Sequence, residues 1–189
     1  MNEVRHKALV PHALKLSPGR VEAAFSVFGN VDADGDVVAP GAIEDGTGIL
    51  ISSWNHGSWA PGVLPLGRGT IRTDESEATV DATFFDTAAA RDTLTVLKGL
   101  GDRCQWSFGF RILDAEHVDV GGQRVQLLTA LDVFEASPVL LGSNPLTRTV
   151  SVSGGDSADE ALAREFARFA ASELDRQIAS ELADIRAEL

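Results

Sequence analysis

Between residues 77 and 85 the chain reads EATVDATFF, and apolar and polar side chains alternate. Ala78, Val80, Ala82 and Phe84 share one parity, the pattern of a strand with one buried face. The same period returns at residues 103–112, RCQWSFGFRI, where Cys104, Trp106, Phe108, Phe110 and Ile112 fall on one face. Gln105, Ser107, Gly109 and Arg111 fall on the other. VEAAFSVFG (residues 21–29) and GILISSWN (48–55) are further apolar strands, the second ending at Asn55-His56-Gly57. NVDADGDVVAPGA between them is a loop of turn formers, and SWAPGVLPLGRG after them is a long loop with two prolines. DVGGQ at 119–123 signals a hairpin, after which RVQLLTALDVFEASPVLL returns as a strand broken at Pro138. One helix interrupts the strands: Asp86 is its expected N-cap, it runs to about Lys98, and Gly99 and Gly101 stop it. The pattern predicts a mainly β domain with some helix, an α+β fold built as a barrel or two packed sheets.

After Val150 the pattern changes. SVSGGDS, residues 151–157, reads as a flexible linker, and Ser157 with Glu160 makes a capping box. Leu162, Phe166, Phe169, Leu174, Ile178, Leu182, Ile185 and Leu189 then form a stripe at three- to five-residue steps. A helix this long, approaching ~50 Å, buries its stripe against a partner, a second copy or its own barrel. The division is therefore a lead-in at 1–20, a core domain at 21–150, the linker, and an amphipathic helix at 158–189.

Composition narrows the classes. The 189 residues carry a net charge of −12, which argues against general nucleic-acid binding, since phosphate contacts need clustered Lys and Arg. Cys104 is the sole cysteine, which excludes an internal disulfide and a cysteine-based zinc site. No apolar run is long enough to span a membrane, and the start lacks the pattern of a secretory signal. The expectation is a cytosolic protein without cofactor or metal.

Few residues suggest chemistry. Ser107 sits on the open face of its strand beside Gly109, which weakens a strand unless something must come close; a substrate backbone lying against it is one such reason. A serine hydroxyl is a weak nucleophile until a base takes its proton. His56, at a strand end among small and aromatic residues, is the candidate base. His117, near the hairpin tip, is a reserve. Glu135 lies inside an apolar strand and needs a partner there: either an imidazole, as in a Ser-His-acid triad, or a salt bridge to Arg111 or Arg124. DADGD at 32–36 places its glycine fourth rather than sixth, and Ile43 stands where a calcium loop has glutamate, so it reads as a turn. Cys104 falls on the apolar parity and reads as core.

Four segments in order resemble the prohead (capsid maturation) serine proteases of tailed phages, distant relatives of the herpesvirus assemblin proteases. FSVFGNVDADGDVVAPGAI at 25–43 is similar to the family's opening strand and loop. WNHG with the following PLGRG resembles its histidine segment, WSFGFRI its Ser-x-Gly-Phe strand, and LDVFEASPVLLGSNP its Glu-x-Ser-Pro segment with the Asn-Pro beyond. Together they span residues 21–148. The intervening GSWAPGVL is longer than the family's usual spacing, which puts the substrate-side wall in doubt.

The resemblance implies a herpesvirus-protease-like β-barrel, closed or partly open. It implies Ser107 as nucleophile, His56 as general base and Glu135 as orienting acid. The herpesvirus relatives use a second histidine in third place, which keeps His117 as the alternative. Implied substrates are the phage major capsid protein or scaffold, and the chain's own tails, inside a procapsid assembling in the host cytoplasm. The C-terminal helix is then a scaffold-like or self-association piece. The rival readings are a non-catalytic capsid assembly factor on the same fold and an esterase using the same three residues.

Overall fold

The computed structural model describes residues 18–154. The expected C-terminal helix, the end of the linker and most of the lead-in lie outside them. The described chain belongs to one compact unit, Pro18–Gly155, and its strands form one sheet.

The strands are β1 (Arg20–Val27), β2 (Asp36–Val38), β3 (Gly48–Ile51), β4 (Gly67–Thr73), β5 (Glu77–Phe84), β6 (Gln105–Val120), β7 (Gln123–Val139) and β8 (Arg148–Ser153). A helix, α1 (Ala88–Leu100), follows β5. The sheet order is β2-β7-β3-β4-β5-β1-β8, with β6 on the other edge of β7. β7 is the spine. β6 pairs with it along its whole length, joined through a turn in which Gly121 and Gly122 take positive φ, as the DVGG signal predicts. On its other edge β2 and β3 run parallel to it at successive heights, Asp36 beside Gln126 and Leu50 beside Glu135.

No strand ladder closes the sheet between β6 and β8. Three hydrogen bonds span the gap instead. Thr149 N–H donates to the Cys104 carbonyl at 3.0 Å, Trp106 N–H to Thr147 Oγ1 at 3.0 Å, and the Trp106 indole to Thr149 Oγ1 at 2.9 Å. The core lies inside the curl of the sheet, filled by Phe25, Ile51, Ile71, Val80, Leu94 and Trp106, all at 1% exposure or less. Ala78, Val80, Ala82 and Phe84 of β5 are buried as their alternation predicts, and Cys104 is core.

Several expectations need correction. Thr87, not Asp86, caps α1, its side chain accepting from Ala90 N–H at 3.3 Å. Asp86 pairs with Arg91 instead. Gly99 lies within the helix, and only Gly101, at φ 58°, stops it. The DADGD loop holds a short strand, β2, because Asp32 Oδ1 accepts the backbone N–H of both Asp34 and Asp36 and turns the chain back onto β7. Pro138 does not break β7. It sits opposite Trp106, whose own N–H is turned away to Thr147, so this rung loses nothing to the missing proline donor. Ile112 is 44% exposed despite its parity, because register shifts at 109/110 and 112/114 twist this arm of the hairpin off the core. The first three linker residues belong to β8.

Candidate active site

Two rungs of the β6–β7 ladder, separated by the Phe108/Ala136 rung, carry most of the candidate site. Ser107 stands opposite Ser137 and Gly109 opposite Glu135, and residues paired in this way share a face. Leu131 and Val133, of the same parity as Glu135, point into the core. A straight strand would send Glu135 in after them. The register instead steps from Gly109/Glu135 to Phe110/Val133 and leaves Phe134 without a partner. This bulge exchanges the two faces: Ala136 takes the core position, and Glu135 and Ser137 turn to the opposite face, where both meet His56. The bulge thus accounts for a carboxylate in an apolar strand.

His56 is not at a strand end. β3 stops at Ile51, and the histidine rides on a short 3-10 segment, Trp54–Trp59. Serines pin this loop. Ser58 N–H donates to Ser52 Oγ at 3.2 Å, Ser53 N–H to Ser58 Oγ at 3.0 Å, and Ser58 Oγ–H to the Leu64 carbonyl at 3.2 Å. Ser52 N–H ties the loop to β7 through the Ala136 carbonyl at 2.9 Å. Trp59 meets Phe134 edge-on, ring centres 5.7 Å apart. Asn55 (φ 53°) and His56 (φ 58°) are the only non-glycine residues with positive φ among the described ones. Each such residue costs on the order of 1 kcal/mol or more and persists only where its surroundings hold it.

His56 Nδ1 lies 2.7 Å from Glu135 Oε1, a hydrogen bond in which the ring nitrogen donates to the carboxylate. Glu135 is 4% exposed, whereas about a third of the His56 side chain is open to solvent. That hydrogen bond raises the imidazole pKa above its ordinary value; partial burial opposes the rise and the carboxylate charge adds to it. Glu135 Oε2 is buried without a hydrogen-bond partner among the described residues. The carboxylate therefore commits one oxygen wholly to the histidine.

Gly109 has a different role from the one its exposed face suggested. A Cβ there would lie 2.4 Å from Glu135 Oε1. The space it leaves is filled by the carboxylate rather than held open for a substrate backbone.

The structure thus brings His56 and Glu135 into direct contact and sets Ser107 two rungs from Glu135's rung, on the same face. Among the described residues the Ser107 hydroxyl and His56 Nε2 form no hydrogen bond. The salt bridges to Arg111 or Arg124 do not form; Arg111 faces Asp132 at 3.6 Å. His117 pairs with Gln126, far along the hairpin arm, while Glu135 occupies the Nδ1 side of His56. One contributor escaped the sequence reading. Ser137 is fully buried, and its hydroxyl accepts the His56 backbone N–H at 3.2 Å. The i, i+2 spacing of Glu135 and Ser137 was the available signal, since it puts both on one strand face.

A groove of about 760 Å³ runs over β3, β4 and β5, lined in part by Leu50, Arg68, Asp81, Asp132 and Phe134; none of His56, Ser107 and Glu135 lines it. Leu50, the ladder partner of Glu135, is half exposed there. Among the described residues no cluster of three or more His, Cys, Asp or Glu side chains is arranged to hold a metal, and no helix is long and apolar enough to cross a membrane.

No curated protein and no solved structure matches the chain. The family model described as caudovirus prohead serine protease matches residues 14–160, which include the whole of the sheet and every residue of the site above. With most of its length matched, the chain belongs to the caudovirus prohead serine proteases, the proteases of phage capsid maturation.

Proposed function

We propose that this chain is a serine endopeptidase in which Ser107 is the nucleophile, His56 the general base and Glu135 the orienting acid. The observation that carries the reading is the 2.7 Å contact between His56 Nδ1 and the buried Glu135 carboxylate. It holds the proton on Nδ1 and leaves Nε2 as the basic nitrogen. As a substrate carbonyl settles over β6, Nε2 takes the Ser107 proton and Oγ attacks the carbonyl carbon. The imidazolium, stabilised by Glu135, returns the proton to the leaving amine, and water then releases the acyl-enzyme by the same route.

The substrates proposed are the shell or scaffold precursors of an assembling procapsid, and the chain's own tails. The curl of the sheet, bridged by Thr149 and Trp106, supports a partly open barrel of the herpesvirus-protease-like type. The amphipathic segment at 158–189 serves self-association or targeting to the procapsid.

The test is intact mass over time for wild type and Ser107→Ala, each with and without co-expressed shell protein. Defined trimming by wild type, with the alanine variant whole, is the expected result. If both stay whole beside the shell protein in assembled heads, the protease reading fails and an assembly role takes its place.

A further inference from the structure

We propose that Ser137 is a positioning residue for the base: its hydroxyl holds the His56 backbone in the left-handed conformation that aims the imidazole at Glu135. The activity side of this inference rests on the protease reading above; the geometric side does not. Three observations carry it. First, two consecutive left-handed residues, Asn55 and His56, stand immediately before Gly57. A histidine adopts this conformation only when its surroundings outweigh the local steric cost. Second, the one hydrogen bond from the His56 backbone N–H goes to Ser137 Oγ, at 3.2 Å, across 81 residues of sequence. Third, Ser137 has no exposed surface and lies two residues from Glu135 on the same strand face.

His56 is therefore held at two points by one strand. Glu135 takes the ring and Ser137 takes the main chain, and the rigid strand fixes the separation of the two anchors. A ring hydrogen bond alone leaves the loop free to swing about it. A second anchor on the backbone removes that freedom, which is what an oriented base requires. The rungs are reciprocal. Ser107 and Gly109 on β6 are small where Ser137 and Glu135 on β7 reach across to the histidine. A Glu-x-Ser on one strand facing a Ser-x-Gly on the other thus places the acid, the anchor and the candidate nucleophile within three rungs.

The test uses the full-length chain. The His56 imidazole is titrated by NMR in a Ser107→Ala background, with and without Ser137→Ala, its signal assigned by loss in His56→Gln. Steady-state cleavage of the shell protein is measured in the Ser107 background. Expected are a fall of the His56 pKa from its raised value toward the ordinary one, a kcat lower by about tenfold or more, and little change in KM. Adding Asn55→Gly to Ser137→Ala recovers part of the kcat, because glycine accepts the left-handed conformation freely. A Ser137→Ala chain that melts earlier while keeping its His56 titration and its kcat overturns the proposal. Should the alanine variant fail to fold, Ser137→Cys keeps the volume with a weak acceptor and has the same expected direction. Loss of the pKa shift on Ser137→Ala, where the chain that keeps Ser107 never cleaves the shell protein in assembled heads, supports the positioning role and refutes the protease reading.

Discussion

Replacing Gly109 by alanine puts a methyl group where the Glu135 carboxylate now sits. The added Cβ would stand 2.4 Å from Oε1 and 3.1 Å from both Cδ and Cγ. Ordinary contact begins near 3.4 Å, so Oε1 must retreat by about 1 Å. The hydrogen bond to His56 Nδ1 measures 2.7 Å, and moving its acceptor by about 1 Å spoils its distance or its angle. Glu135 is 4% exposed, so it has little room to swing aside and restore the contact.

A misplacement of ~1 Å in catalytic machinery costs on the order of 10²-fold in rate, and full loss of the orienting acid about 10⁴-fold. We therefore expect kcat/KM of Gly109→Ala to fall by about 10²- to 10⁴-fold. Stability should change far less. Overpacking costs about 1–3 kcal/mol, and exchanging glycine for alanine within a strand returns about 0.5–1 kcal/mol. A domain of ordinary stability, about 5–15 kcal/mol, stays folded. The assay pairs cleavage of the shell protein with a melting curve and the NMR titration of His56, whose pKa should drop as the carboxylate leaves. A folded Gly109→Ala chain with wild-type kcat/KM and an unmoved His56 titration refutes this reasoning.

Glu135→Gln removes the carboxylate charge and leaves at most a weaker, neutral hydrogen bond against the burial that lowers the His56 pKa; the acid limb of the activity profile should move to lower pH while the maximal rate falls by about 10²–10⁴-fold, and an unshifted limb contradicts the assignment of that limb to His56. The same linkage fixes a sign for stability: the folded pKa lies above the unfolded value of 6.5, so the His56–Glu135 pair contributes fully below that value. Its contribution is lost as pH rises through the folded pKa, measurable as a wild-type minus Glu135→Gln difference in Tm that shrinks with rising pH. Trp106→Phe takes the indole donor from the buried Thr149 hydroxyl, which keeps its contact with the Cys104 thiol, and removes one of the bonds bridging β6 and β8; about 1 kcal/mol of lost stability is expected by chemical denaturation, and no loss would show that the bridge contributes nothing.

The strands most legible in the sequence were those whose alternation meets a buried face. Ala78, Val80, Ala82 and Phe84 needed only their period, and Asp119 with Gly121 and Gly122 needed only local turn chemistry. His56, Ser107 and Glu135 stood out as a set through resemblance, while each residue alone had an ordinary explanation. The boundaries failed where a tertiary partner decides: Thr87 replaces Asp86 as cap, and β2 exists because β7 is there to pair with it.

What the sequence determines by itself is therefore local: side-chain period, turn residues, and the i, i+2 spacing that commits Glu135 and Ser137 to a common face. It cannot say which face. That depends on the unpaired Phe134, and a bulge is a property of two strands in register, not of either one read alone. Nor can it say why Gly109 is a glycine, since the atom that excludes a side chain there comes from Glu135 across the ladder. The left-handed turn at His56 is likewise held by a hydroxyl 81 residues away. Chain-local forces set the elements; contacts between residues distant in sequence, each requiring the rest of the sheet to be in place, aim the three candidate side chains.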